Sequence, residues 1–195
     1  MPGSSLWLLP PKSHPLDKIL PNLIEQTSSH FGSSHSFLPH VTLTSEVSPS
    51  IYSADPQAWL DSLTLPSSDD VRVDFEKLAS EDVFFRKLYI KCRKTDGVKK
   101  LAQVCREKVS GYEEDGKAET WAEEPYNPHL SLLYHDCPKV EASDLAPIEK
   151  LAQVSGISLT SEGQVKGWTG GRVVLVPTDK PMHQWVPIAE RALQL

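Results

Sequence analysis

Leu38-Pro39-His40-Val41-Thr42-Leu43 returns later in the chain as Asn127-Pro128-His129-Leu130-Ser131-Leu132. Both stretches read Pro-His-apolar-hydroxyl-apolar. The bare triplet His-x-Ser/Thr carries little weight. With 7 His, and 31 of 195 residues Ser or Thr, chance alone supplies about one such triplet. The preceding proline and the flanking apolar residues each cut that expectation severalfold, so two full copies are informative. Alternation of polar and apolar residues predicts a half-buried strand at each copy. Side chains two apart share a face, so Val41 and Leu43 anchor in the core while His40 and Thr42 share the other face. Leu130 and Leu132 do the same beneath His129 and Ser131. Each proline fits the first residue of a strand, where no ladder donor is needed. One copy alone is an ordinary amphipathic strand; the pair predicts two halves of a shared site.

The rest of the chain reads outward from these strands. The start of the chain, Met1 to Pro11, reads as a first strand ended by Pro10-Pro11. Leu16 to Phe31 has helical spacing and stops at Gly32, with Pro21 marking either the true start or a kink. Asp55-Pro56 opens a short helix through Leu63. Val71–Phe75 and Phe85–Cys92 alternate and are expected to pair as antiparallel strands. Thr95 or Asp96 caps a helix to about Val109, and the acidic stretch from Tyr112 to Pro125 is a solvated loop or short helix. A helix from about Ser143 to Val154 follows the second histidine strand. Next come a hairpin, Gly163–Trp168 and Arg172–Pro177 around Thr169-Gly170-Gly171, and a last strand from Gln184 to Ala192. Lys100-Leu101-Ala102-Gln103-Val104 and Lys150-Leu151-Ala152-Gln153-Val154 echo one another on two of the helices. The expected fold is a single α+β domain over residues 1–195, bilobal, with two antiparallel sheets facing a central cleft and helices packed outside.

Bulk properties narrow the function. The net charge of −6 disfavours a broad grip on polyanionic nucleic acid, so no stable nucleic-acid complex is expected. A small phosphate ligand in a locally positive pocket remains compatible. Cys92, Cys105 and Cys137 are odd in number and lack Cys-x-x-Cys spacing, which points to reduced thiols. No stretch approaches a membrane span, and the N-terminus lacks the basic region of a signal peptide. The expected protein is intracellular, cytoplasmic and monomeric.

Two imidazoles, with ordinary pKa values near 6.5, serve as general base and general acid near neutrality if their environments split them. Two hydroxyls donate to the non-bridging oxygens of a tetrahedral anion. This set suits metal-free opening of a cyclic phosphodiester: His40 and His129 move protons while Thr42 and Ser131 hold the phosphate. No metal and no cofactor are expected. His14, His30, His35, His135 and His183 lack ligand spacing and are read as surface residues. There is no G-x-S-x-G elbow, Walker or dinucleotide glycine motif. Trp7, Trp168 and Tyr126 are candidates to stack a base, and Lys166 and Arg172 to add positive charge, although core and surface roles are the ordinary readings for such residues.

The paired motifs resemble the two-histidine phosphoesterase superfamily. Leu6-Trp7-Leu8-Leu9-Pro10-Pro11 and Phe37-Leu38-Pro39-His40-Val41-Thr42 resemble, within it, the fungal and plant 2′,3′-cyclic nucleotide phosphodiesterases. The resemblance implies hydrolysis of ADP-ribose 1″,2″-cyclic phosphate to the 1″-phosphate, and of nucleoside 2′,3′-cyclic phosphates to 2′-phosphates, as in the metabolism of tRNA-splicing by-products. It also implies a phosphate contact from Tyr134, three residues after Ser131, and allows Golgi association as in fungal members. Two alternatives stand beside it. One is an RNA-end enzyme of the same superfamily (a 2′-5′ RNA ligase or phosphodiesterase), against which the acidic charge counts. The other is a non-catalytic nucleotide-binding module, against which both intact histidines count.

Overall fold

The computed structural model describes residues 3–159 and 165–195. Its strands are β1 (Ser4–Leu9), β2 (Val41–Val47), β3 (Arg72–Ala79), β4 (Leu88–Cys92), β5 (His129–Leu133), β6 (Gly167–Thr169), β7 (Arg172–Pro177) and β8 (Ala189–Ala192). The helices are α1 (Leu16–His30), α2 (Pro56–Asp61), α3 (Asp96–Arg106), α4 (Lys117–Glu123) and α5 (Ala142–Val154). The α+β class and the antiparallel pairing agree with the alternation in the sequence.

The strands follow one hydrogen-bonded order, β6-β3-β4-β5-β2-β1-β7-β8, rather than two separate sheets. Four strands on each side meet at β5 and β2, and the register there is a single pair, Val41 with Leu130. The two histidine strands are therefore the innermost strands of the sheet. Val41, Leu43, Leu130 and Leu132 are all fully buried in the main core, as strand alternation requires. α1 packs against β5 and α3 against β2, which covers that face. A second, smaller cluster of Trp7, Leu9, Val174 and Val176 lies on the other side of β1 and β7, with Trp185 against it.

The expected hairpin between residues 163 and 177 is corrected. β6 pairs with β3 at one edge, whereas β7 pairs with β1 and β8 near the other. Gly163 and Gln164 lie outside the described residues. Only Gly170 and Gly171 separate β6 from β7, and such a link spans at most about 11 Å. The sheet therefore curls until its edges approach, and Gly170 N–H bonds Val71 O while Leu193 N–H bonds Gly171 O. Gly171 has φ 127°, and a Cβ there would sit 2.5 Å from Leu9 O, so no larger residue fits this crossing. Period-two alternation cannot tell a hairpin from two strands that part at a glycine pair.

Other differences are local. α1 begins at Leu16 and runs through Pro21, whose ring faces solvent. Phe84–Arg86 forms a single 3-10 turn, so β4 starts at Leu88 rather than Phe85. β8 is shorter than expected because Pro187 has no N–H to give the ladder. The echoed pentapeptides lie on α3 and α5 and bury Ala102 and Ala152 respectively.

Candidate active site

Both motifs build the same local device. The Nδ1 of His40 lies 2.6 Å from Leu38 O, and the Nδ1 of His129 lies 2.8 Å from Asn127 O. In each case the carbonyl belongs to the residue before the proline. Proline fixes its own φ and holds the preceding residue extended, which aims that carbonyl back at the imidazole. A carbonyl only accepts, so Nδ1 carries the proton and Nε2 is left to exchange one. β2 begins at Val41 and β5 at His129, so each proline precedes its strand rather than starting it, and its part is to set the tautomer.

Antiparallel register about Val41 and Leu130 sets His40 across from Ser131 and Thr42 across from His129. All four flank a pair that points into the core, so all four share the opposite face. The structure brings the four motif residues together, and His129 lies near enough for its charge to act on His40.

Their environments differ. His40 is 6% exposed and lies flat on Trp7, with ring centroids 3.7 Å apart and planes 9° apart. Burial pushes its pKa down to about 4; the Leu38 carbonyl works against this, and the charge of His129 adds to it. His129 is half-buried and also lowered, mainly by burial, with the Asn127 carbonyl and Glu81 pulling upward and Arg86 downward. The Thr42 hydroxyl makes no hydrogen bond among the described residues, and Tyr126 Oη donates to the Thr42 carbonyl at 3.2 Å. The Ser131 hydroxyl instead donates to Phe85 O at 2.7 Å. Tyr134 is stacked on Phe37 at 3.7 Å, and Ser131 lies near enough to act on its hydroxyl. Burial raises its pKa, so it stays a neutral donor.

Sequence reading missed the connection between β3 and β4. It brings Phe85 to Ser131, and it holds Glu81, which accepts from Tyr89 Oη at 2.7 Å and pairs with Arg86 at 2.8 Å. Tyr89 sets its ring against His129, with centroids 5.3 Å apart. The contacts with Ser131 and His129 join segments far apart in the chain, and no local pattern announces them. The other aromatic candidates are structural here. Trp168 is buried edge-on to Phe75, Tyr126 is buried against Trp121, and Trp7 stacks on an imidazole. Arg172 is held by Asp17 and Glu190. His30 and His183 are exposed, and His14, His35 and His135 are half-buried. Among the described residues, no three His, Cys, Asp or Glu side chains are grouped to hold a metal ion, and no helix is long and apolar enough to cross a membrane.

The chain is similar to known proteins over nearly its whole length. The family model described as cyclic phosphodiesterase-like protein matches residues 1–193. A protein of Phaeosphaeria nodorum named 2′,3′-cyclic-nucleotide 3′-phosphodiesterase is 68% identical, over 99% of this chain and 100% of its own. Proteins of the same name from Neurospora crassa and Yarrowia lipolytica are 42% and 29% identical, over 99% and 97% of this chain and 100% and 99% of theirs.

Proposed function

The chain belongs to the cyclic phosphodiesterase-like family, and on that premise we propose that it hydrolyses nucleoside 2′,3′-cyclic phosphates to 2′-phosphates. ADP-ribose 1″,2″-cyclic phosphate, opened to the 1″-phosphate, is the second substrate of this reading. The observation that carries it is the pair of imidazoles with Nδ1 tied to backbone, flanking the one register pair between β2 and β5. The two four-stranded halves act as walls of a cleft, one histidine from each.

In the reaction, water attacks phosphorus and the bond from phosphorus to the 3′ oxygen breaks. The water proton goes to one Nε2, and the other imidazolium gives its proton to the departing 3′ oxygen. Burial favours neutral His40, the form a base requires. His129 is the less buried of the two and takes the acid's part; burial lowers its pKa as well, with the Asn127 carbonyl and Glu81 acting against that shift and Arg86 with it. Thr42, Ser131 and Tyr134 donate to the non-bridging oxygens, whose charge grows in the transition state. No step calls for a metal. Turnover of adenosine 2′,3′-cyclic phosphate in EDTA, with 2′-AMP as product, is the test; 3′-AMP or dependence on added metal would count against the reading. Free Cys92, Cys105 and Cys137 fit a reducing compartment, and the cleft of one chain supplies the whole site, in keeping with a monomer.

A further inference from the structure

The β3–β4 connection places a charged pair beside His129 that the proton transfer above does not use. Tyr89 on β4 is the cross-strand partner of Ser131, and Lys91 is that of His129. Tyr89 therefore lies on the site's face of β4, diagonal to His129. Its buried ring meets the imidazole at a steep angle, with centroids 5.3 Å apart and planes 66° apart. The Tyr89 hydroxyl donates to Glu81 Oε1 at 2.7 Å, and Arg86 Nη2 lies 2.8 Å from Glu81 Oε2. One carboxylate thus fastens both the tyrosine against the acid and a nearby guanidinium.

The connection has other braces. Ser80 Oγ donates to Lys87 O and accepts from Val140 N–H, and buried Lys87 pairs with Asp82 at 2.7 Å. The side chains of Glu81 and Arg86 are each about a third exposed, and an ion pair so placed adds little to stability. Its effect on His129 is electrostatic: the guanidinium lowers the pKa of the imidazole and the carboxylate raises it. Three other titratable groups face His129. Lys91 is answered by Glu76 at 3.3 Å, and Tyr89 is a neutral phenol, its pKa pushed up to about 12 by burial and by Glu81. The third is His40, across the join on β2. α1 packs on the opposite, apolar face of β5. Without Glu81, the Arg86 charge would act on the acid unopposed and favour early loss of its proton.

We propose that Glu81 is a positioning residue for His129: it holds Tyr89 against the imidazole and offsets the Arg86 charge, so that His129 keeps a proton to give. This rests on the acid's part assigned to His129 above and adds the group that sustains it.

The test follows the titration of His129 by NMR and the pH dependence of kcat/KM for adenosine 2′,3′-cyclic phosphate. Wild type is compared with Glu81→Gln and Arg86→Gln. Both variants break the same ion pair, so a merely structural pair would make them alike. The proposal predicts opposite movements. In Glu81→Gln the His129 pKa falls, the alkaline limb moves to lower pH, and kcat/KM on that limb drops about threefold, a size suited to part-exposed charges and eroded by salt. In Arg86→Gln the pKa rises and the limb moves to higher pH. The acid limb, set by His40, stays in place in both. Tyr89→Phe keeps the ring but loses the bond to Glu81, and moves in the direction of Glu81→Gln by less. The position of a limb does not depend on the folded fraction, so a poorly folding variant still reports. Movement of both charge variants in one direction, no movement in either, or an unmoved Tyr89→Phe overturns the proposal and leaves the phosphodiesterase reading intact. Wild type that opens no cyclic phosphate overturns that reading instead, and the NMR titration alone then decides whether Glu81 governs His129.

Discussion

Val41 and Leu130 face each other across the centre of the sheet, and among the described residues they are the only registered pair between β2 and β5. Both side chains are fully buried. His40 and Thr42 flank this pair on one strand, and His129 and Ser131 on the other. The chemistry proposed for this chain depends on that join.

The division of labour between the imidazoles has a chemical test. A substrate whose leaving 3′ oxygen is replaced by sulfur needs little proton donation. It should restore turnover to His129→Ala and leave His40→Ala inactive. Equal rescue of both variants, or rescue of His40→Ala alone, contradicts the assignment.

Burial of neutral His40 links folding to pH. Its folded pKa, about 4, lies below the ordinary 6.5, so between these values the unfolded chain binds the proton first. The stability contribution is full above pH 6.5 and lost as pH falls towards 4, by about 3 kcal/mol. Urea unfolding at pH 7.5 and pH 4 should show wild type losing that much more than His40→Asn. Equal losses would mean that His40 is not held neutral.

Trp7 acts through His40. Trp7→Leu removes the plane on which the imidazole lies, so the His40 pKa should climb towards 6.5 by NMR titration. Turnover should fall roughly ten- to a hundredfold as the base loses its position. Trp7→Phe should recover much of both. Loss of activity with an unmoved His40 pKa would assign Trp7 elsewhere.

The two hydroxyls are predicted to differ. Ser131 donates to Phe85 O and so fastens the β3–β4 connection, while the Thr42 hydroxyl is unengaged among the described residues. Ser131→Ala should lose about 1 kcal/mol of stability along with activity. Thr42→Val should lower kcat/KM tenfold or more at nearly unchanged stability. Tyr134→Phe keeps the stack on Phe37 and should behave like Thr42→Val. Equal stability losses at positions 42 and 131 would contradict the asymmetry.

What the sequence made legible was local. Alternation around His40 and His129 marked both motif strands and their buried faces, and helical spacing marked α1, α3 and α5. The second motif also pointed to Tyr134 through family resemblance. Three features were hidden because they arise only when distant segments meet. Trp7 looks like any strand aromatic until β1 lies beside β2. Glu81 and Phe85 belong to the site only through the folding of β3 onto β4 and β5. The parting of β6 from β7 depends on the curl of the whole sheet.

The central claim is that His40 and His129 act on one phosphate in one step. The most direct measurement is kcat for adenosine 2′,3′-cyclic phosphate in EDTA, for wild type, His40→Asn, His129→Asn and the double variant. The account predicts a loss of about a hundredfold or more for each single change, with the double variant little worse than the poorer single one. Wild-type turnover in either single variant would contradict it.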